Sequence, residues 1–591
     1  MDRAGGVQSH HFLASCAAAW LTLSAARQPA PGQASASPAP PPNGTAQQLS
    51  TTAEGALAES VDVSVVSVDV VVRDRSGELL SGLTRNDFTL HEDGRKVEIS
   101  NFAVAGDTRP ATPQRQPSAD TSKSITPANA DNRAPHERLN LVVYIDNANL
   151  HPGDRNRILK QLRAFLDNLV RQDDQVLVVT HDLVGLRVRH PFRESLSALG
   201  AELDQIQKEA AGGISTDLAS RQAMELIRSL GCKRVDEAAS IARAHAESVL
   251  AEVGMTYANL HHLLESLGSL DGRKVLVYVG DGVPTQVGTD VFGMIDEMCA
   301  QGNSQSMRNV IYATPQLHQV TAAANANGVT LYTLEGAGLV NYASAEHAGH
   351  PLLSFELTQR VNADRQDSLT NMATETGGRA ALNGNDFTHD LDRIRADLEG
   401  GYSLGFMPAH AGDGKVHDLR VDVDRPGARA TYRSSYRDRT PEERLEGLLE
   451  AALLHGQADN PLAASLKLGA AAPSEHGKVL VPLQLRIPFS KLALIPQEDG
   501  RHGRLLLLAG TIDERGSMSR IQRAQIPLRV ADADLPKTLA SNLGYDLKLL
   551  LEPGIQRVAF AVRDEASHAT SCLIRSLMIE KSGTVSLRPS E

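Results

Sequence analysis

Two aspartates close the most apolar runs of the sequence. Asp146 ends the run 139–146, and Asp281 ends the run 274–281. Both runs are typical of buried parallel strands, and ligands of open α/β sheets bind at the carboxyl ends of such strands. We therefore expect the two carboxylates at one sheet edge, where they could converge on a single bound cation. This chemistry is that of a surface metal site rather than of an enzyme cleft.

The elements around these aspartates alternate between strands and helices. Apolar residues recur at helical spacing after the first run, with Pro152 suited to the first helical turn. The predicted elements that follow are strands at 176–180 and 186–188, helical stretches at about 194–211 and 216–268, a helix around 304–327 and a strand at 329–334. This alternation favours a doubly wound, mostly parallel sheet.

Short strands with turn signals flank this region on both sides. Residues 59–105 predict a small antiparallel β unit, and 401–437 predict three more strands. Because a two- or three-stranded unit is not stable alone, we expect these two segments to pair. A helical connector at 438–458 leads to 459–591, whose short strands separated by turn signals favour an antiparallel β-sandwich of immunoglobulin-like type. A barrel is the alternative for this region.

The N-terminus indicates export. Residues 1–26 read as a signal peptide, with an apolar run from Phe12 to Leu23 followed by small residues. Residues 27–58 and 106–137 are rich in Pro, Ala and polar residues and are predicted to be linkers. We expect an exported protein, periplasmic or extracellular, with no transmembrane helix in the mature chain.

Charge and cysteine content limit the partners further. The 591 residues carry 59 basic and 71 acidic side chains, and this net charge of −12 disfavours nucleic acid as a partner. In an oxidising compartment, Cys232 and Cys299 are a candidate disulfide because both fall in one predicted domain. Two buried thiols are the alternative.

The familiar catalytic motifs are not in the sequence. It has no Gly-x-Ser-x-Gly elbow, no His-Glu-x-x-His pair and no phosphate-binding loop. No residue is singled out as catalytic, so a non-enzymatic protein is expected. Gly412-Asp-Gly414 is interpreted as a hairpin turn rather than as a ligand loop.

The chain resembles the bacterial von Willebrand factor A-related family over about 59–437. The resemblance rests on the order of the opening β unit, the strand ending in Asp146, and further segments; these are 82–88, 272–284, 376–379 and 401–408. It implies a doubly wound α/β domain of the von Willebrand factor A type at 138–400, with a helical insert at 193–270. This domain would be inserted in, or flanked by, β-sandwich elements, and the C-terminal sandwich would follow.

The resemblance also implies a metal-ion-dependent adhesion site. In the family, an Asp-x-Ser-x-Ser loop, a Thr and a second Asp hold a divalent cation that binds an acidic residue of the partner. Asp146 and Asp281 match the two aspartates, Thr216 matches the Thr, and Asn149 or Asn147 stands in for the missing serines. The implied ion is Mg²⁺ or Mn²⁺ in a degenerate site. The alternative is that both aspartates only cap helix N-termini.

The resulting hypothesis is an exported, non-enzymatic, adhesion-like protein that binds an unidentified protein partner through an acidic residue. Two alternatives stay open. One is an exported hydrolase with catalytic groups in the helical insert or the C-terminal domain. The other is a structural envelope scaffold without metal.

Overall fold

The computed structural model describes residues 65–588 except 105–138, 171–173, 183–184, 193, 271, 300–305, 339–352, 411, 457, 475–476, 498 and 515–517. The predicted signal peptide and both predicted linkers therefore lie outside the described residues. Among the described helices, none is long and apolar enough to cross a membrane.

The described strands are β1 (Val66–Arg73), β2 (Phe88–Glu92), β3 (Arg95–Val97), β4 (Ile99–Val104), β5 (Leu139–Ile145), β6 (Gln175–Asp182), β7 (Gly185–His190), β8 (Arg273–Gly280), β9 (Gln286–Val287), β10 (Ile311–Tyr312), β11 (Val329–Glu335), β12 (Ala380–Ala381), β13 (Tyr402–Phe406), β14 (Val416–Val423), β15 (Arg429–Tyr432), β16 (Ser435–Arg437), β17 (Ser465–Leu468), β18 (Ala472–Pro473), β19 (Val479–Pro488), β20 (Ile495–Gln497), β21 (Gly500–Asp513), β22 (Gln522–Val530), β23 (Asn542–Leu551), β24 (Gly554–Asp564), β25 (Thr570–Ile579) and β26 (Val585–Arg588). The described helices are α1 (Pro152–Leu169), α2 (Leu196–Ile206), α3 (Gly213–Leu230), α4 (Val235–Leu267), α5 (Thr289–Met298), α6 (Thr314–Ala326), α7 (Phe355–Glu375), α8 (Thr388–Gly400), α9 (Pro441–His455) and α10 (Leu535–Leu539).

A six-stranded sheet lies at the centre, in the order β12-β11-β8-β5-β6-β7. Its strands are parallel except β7, which runs antiparallel to β6. The residues of β5 are buried throughout, which accounts for their unbroken apolar pattern. One core joins the sheet to α4, α5, α6 and α7, and a second core joins it to α1 and α8.

Strands from before and after this sheet share two antiparallel sheets. One has the order β15-β1-β13-β4 and the other β16-β14-β2-β3. Val66 of β1 pairs with Phe406 of β13, and Leu90 of β2 pairs with Val421 of β14. Apolar residues from both sheets, including Val68 of β1 and Leu90 of β2, form one core between them.

The C-terminal region packs two further antiparallel sheets around a separate core. One contains β17, β18, β19 and β23, and the other contains β20, β21, β22, β24, β25 and β26. Helix α9 covers the outer face of the second sheet, where Leu449 and Leu453 pack against Leu508 and Ala559. Its start is fixed by a capping box between Thr440 and Glu443.

The fold class expected from the sequence, a doubly wound α/β domain with flanking sandwich elements, is wrong as a description of this chain. The described residues form a β-rich structure of several sheets with ten helices, and only one sheet contains parallel strands. The two apolar runs that suggested the class are strands of that one sheet. These runs were given too much weight, because parallel strands buried on both faces leave the strongest apolar pattern, whereas every other described sheet is antiparallel.

The helical segment before β8 also differs from the expectation. The stretch predicted at 216–268 is two helices, because Gly231 has a φ of 59° and ends α3. Cys232 follows at once and forms a disulfide with Cys299 at the end of α5, with a Cα–Cα distance of 5.5 Å. The bond ties the break between α3 and α4 to a helix 67 residues later in the sequence.

Removal of this disulfide should destabilise the chain. Closing a loop of this length lowers the entropy of the unfolded state, so Cys232→Ser with Cys299→Ser should cost about 2–4 kcal/mol of unfolding free energy. Denaturant unfolding with and without reductant measures the effect. The double variant is the control, since reductant should shift only the parent protein. Equal midpoints for the parent with and without reductant would contradict the prediction.

Candidate functional site

Asp146 follows β5 and is completely buried. Its Oδ2 accepts hydrogen bonds from the Tyr278 hydroxyl at 2.5 Å and from Asn149 Nδ2 at 2.8 Å. Its Oδ1 lies 3.1 Å from His181 Nδ1. Both carboxylate oxygens are therefore engaged by side chains of the protein, and the residue links the ends of β5, β6 and β8.

The turn after Asp146 is fixed through its backbone as well. The amides of Asn149 and Leu150 donate to the Asp146 carbonyl, at 3.2 and 3.1 Å. Gly212, just before α3, donates its amide to the Asn147 carbonyl at 2.8 Å. A Cβ on Gly212 would stand 2.4 Å from the Ala148 carbonyl oxygen, so only glycine fits there. The start of α3 is thus held directly against this edge of the sheet.

Asp281 follows β8 and has different surroundings. Its side chain is buried beside Gly336, where a Cβ would come within 2.6 Å of Oδ1. Oδ1 has no hydrogen-bond partner among the described residues. Burial, and then the charge of Asp154, raise the pKa of Asp281 to about 7, while Arg365 and His151 oppose this shift. This carboxyl group is therefore half protonated near neutral pH.

Thr216 and Asn149 lie together in a small groove at the same edge. Its walls come from the turn after Asp281, from α4 and from Arg365; the lining residues are Asn149, Thr216, Val249, Glu252, Val253, Thr256, Gly282, Val283, Pro284 and Arg365. The Nε atom of Arg365 has no hydrogen-bond partner in the described part of the chain. The groove thus combines a cationic group with hydroxyl, amide and apolar surfaces.

The predicted cation at Asp146 and Asp281 stays a prediction. Among the described residues, no group of three His, Cys, Asp or Glu side chains at ligand distance includes either aspartate. The alternative role of helix capping does not describe them, because the N-cap residues of α1 and α5 are His151 and Gly288. The contacts instead make Asp146 a structural link and Asp281 a buried titratable group.

The sequence analysis missed a second cluster, in the antiparallel sheets. Glu92, His410 and His417 have ligand atoms within 4.8 Å of one another, and so do His410, Asp413 and Asp438. The turn containing Gly412 and Gly414 was interpreted as a hairpin only. Two histidines seven residues apart around an aspartate were the available signal, but nothing in the sequence indicated that Glu92 would join them.

Comparisons with known proteins assign no family: no family model matches the chain, and no curated protein matches it. Similar regions occur in solved structures, among them the structural-genomics target SoR45 (13% identity, 20% of this chain, 88% of that chain, TM-score 0.14). Another is a Bacteroides uniformis beta-glucuronidase (8% identity, 31% of this chain, 20% of that chain, TM-score 0.14). A third is the pilus adhesin SpaC from Lactobacillus rhamnosus GG (8% identity, 76% of this chain, 56% of that chain, TM-score 0.21). Such TM-scores carry no argument about function.

Tyr278→Phe should destabilise the sheet, whereas Tyr144→Phe should not. Both rings are buried and stacked with centroids 5.3 Å apart, but only the Tyr278 hydroxyl bonds with Asp146; that of Tyr144 has no described partner. Loss of a hydrogen bond to a buried charge costs about 1–3 kcal/mol, and loss of an unsatisfied hydroxyl costs nothing or stabilises. Chemical denaturation compares the two variants, and equal midpoints would rule out a special role for the Asp146 contact.

Asp281 should make stability fall as pH rises from 3.8, its ordinary pKa, to about 7, its pKa in the fold. In this interval the folded chain keeps a proton that the unfolded chain releases, so each rise in pH favours unfolding. Over this pH range the parent should lose on the order of a few kcal/mol of unfolding free energy through Asp281, and Asp281→Asn should abolish that loss. Unfolding free energies at several pH values measure it, with exposed Asp367→Asn as the control. An unchanged pH slope in Asp281→Asn would contradict the assignment.

Proposed function

We propose that this chain is a non-enzymatic protein-binding protein of the adhesion-like kind, exported as its N-terminal sequence indicates. The partner binds at the carboxyl edge of the central sheet, in the groove beside Thr216. The observation that carries this proposal is the exposure of Ile214 and Leu218, which are 59% and 55% accessible on α3. These residues lie one helical turn apart on the exposed face of α3, whereas Thr216, two positions from each, lies on the face that lines the groove. The partner would therefore cover the exposed face of α3 as well as the groove, and large apolar side chains there favour a protein contact.

Arg365 is the group that would receive an acidic residue of the partner. A guanidinium pairs with a carboxylate in a directional, charge-assisted bond. Glu252 also lines the groove, and its carboxyl group disfavours a second carboxylate close to it. Because both oxygens of Asp146 already accept hydrogen bonds, direct pairing with Arg365 is favoured over a bridging cation.

The hydrolase alternative has weaker support. In the helical insert, Ser220 Oγ lies 3.4 Å from His245 Nε2, at the outer limit of a hydrogen bond. Ser220 is buried, with 8% of its surface exposed, so it is not presented to a substrate. The binding proposal rests instead on the exposed Ile214 and Leu218 and on the partly exposed Arg365.

The proposal is tested by capture of partners from envelope and culture-fluid extracts of the source organism. The Ile214→Ser/Leu218→Ser variant and Arg365→Gln should each reduce capture of a specific protein at least tenfold, as loss of an interface anchor costs about 2 kcal/mol or more. Leu539→Ser and Arg393→Gln, which change exposed groups elsewhere, are matched controls. An identical set of captured proteins for all five chains would refute the proposal.

The same experiment with Mg²⁺, Mn²⁺ or chelator decides between Arg365 and a cation. It should be run above pH 7, where Asp281 is ionised and available to an ion. Capture that resists chelation and depends on Arg365 supports direct pairing. Metal-dependent capture that Asp281→Asn abolishes would assign the acidic residue to a bound cation and overturn the role of Arg365.

A further inference from the structure

The second cluster brings together residues that are far apart in the sequence. Glu92 ends β2, His417 lies on β14, Asp438 follows β16, and His410 lies after β13. The pairing of β14 with its two neighbouring strands fixes the relative positions of these residues, because Leu419 pairs with Glu92 and His417 pairs with Tyr436. The cluster therefore exists only when the strands from both ends of this region are paired.

The two imidazole rings are stacked face to face. The ring centroids of His410 and His417 are 3.9 Å apart, and the rings are inclined by 17°. Around them stand four carboxylates, those of Glu92, Asp93, Asp413 and Asp438; the basic neighbours are Lys415, which pairs with Asp413, and Arg444, which pairs with Asp438.

The nitrogen atoms of His410 have an arrangement typical of metal ligands. Nε2 lies 3.3 Å from Glu92 Oε1, and Nδ1 lies 3.4 Å from Asp438 Oδ2. Neither nitrogen makes a hydrogen bond with any described residue. Donors on a tetrahedral zinc ion, each about 2.0–2.1 Å from the metal, are about 3.3 Å apart. The first contact therefore has the separation of two ligands on one ion.

Hydrogen bonds hold the other members in place. His417 Nδ1 lies 2.8 Å from Asp93 Oδ2, and its Nε2 lies 3.2 Å from Asp413 Oδ1. Glu92 Oε1 accepts from the Tyr436 hydroxyl at 2.5 Å. Asp438 is 1% exposed and its Oδ2 accepts from the Gly412 amide at 2.6 Å. Carboxylates behind ligating histidines are the usual outer support of a metal site.

We propose that His410, His417 and Glu92 bind a divalent transition-metal ion of the zinc class, each imidazole through Nε2, with Asp93 and Asp438 orienting the rings through Nδ1. His417 Nε2 then exchanges its contact with Asp413 for the ion. Mixed imidazole and carboxylate donors suit Zn²⁺ far better than Mg²⁺ or Ca²⁺, which take oxygen ligands. The ion joins β2 to β14 and to the segment after β13. It thereby stabilises the pairing between the N-terminal strands and those that follow the central sheet.

Zn²⁺ binding to the untagged full chain tests this proposal. Metal analysis after dialysis and titration calorimetry should show about one tightly bound Zn²⁺ per chain, with a higher melting temperature than in chelator and no effect of Mg²⁺. His410→Gln and Glu92→Gln should each weaken binding at least tenfold. His389→Gln, which changes an exposed histidine on α8, is the control and should bind as the parent does.

The variants are chosen so that misfolding does not imitate loss of a ligand. His410 makes no described hydrogen bond through its ring, and Gln at position 92 can still accept from Tyr436. Both variants should therefore melt within about 2 °C of the parent in chelator, where the proposal assigns no stabilising role to the metal. Absence of tight Zn²⁺ binding by the parent, or equal binding by the parent and His410→Gln, would overturn the proposal.

Discussion

The central sheet depends on the burial of one carboxylate. Asp146 is withdrawn from water, so its charge must be matched by donors of the protein. Tyr278 supplies one donor from β8, His181 lies against the other oxygen from β6, and Asn149 closes the turn. Any shift of β5 against its neighbours would break these contacts. The position of the turn, and with it the groove beside α3, follows from this requirement.

The two groups of polar residues differ in the charge that they can accommodate. At the sheet edge, Asp281 is shielded from solvent and its raised pKa reduces its negative charge near neutrality. In the antiparallel sheets, carboxylates outnumber the cationic side chains around His410 and His417. The sheet edge therefore attracts a metal cation only weakly below neutral pH, whereas the carboxylates around His410 and His417 attract one. The proposed zinc site and the proposed partner site therefore depend on different groups of residues.

The sequence predicts individual elements better than it predicts contacts. The unbroken apolar run of β5 is a local pattern, and this strand lies where it was expected. The break at Gly231 was missed because one glycine in a helical pattern is often tolerated. Neither the engagement of Asp146 by Tyr278 nor the approach of Glu92 to His410 leaves a local pattern, since each joins residues more than a hundred positions apart.

The pairing of β1 with β13 imposes an order on the formation of the molecule. Val66 meets a partner at Phe406, so β1 leaves the ribosome long before the strand that covers its edge. Closing such a long flexible loop costs about 5 kcal/mol of chain entropy. The cost falls if the intervening central sheet has already folded and brought its ends together. The first described strands would therefore be the last to be protected, and during synthesis they are the described segment most exposed to mispairing with a neighbouring chain.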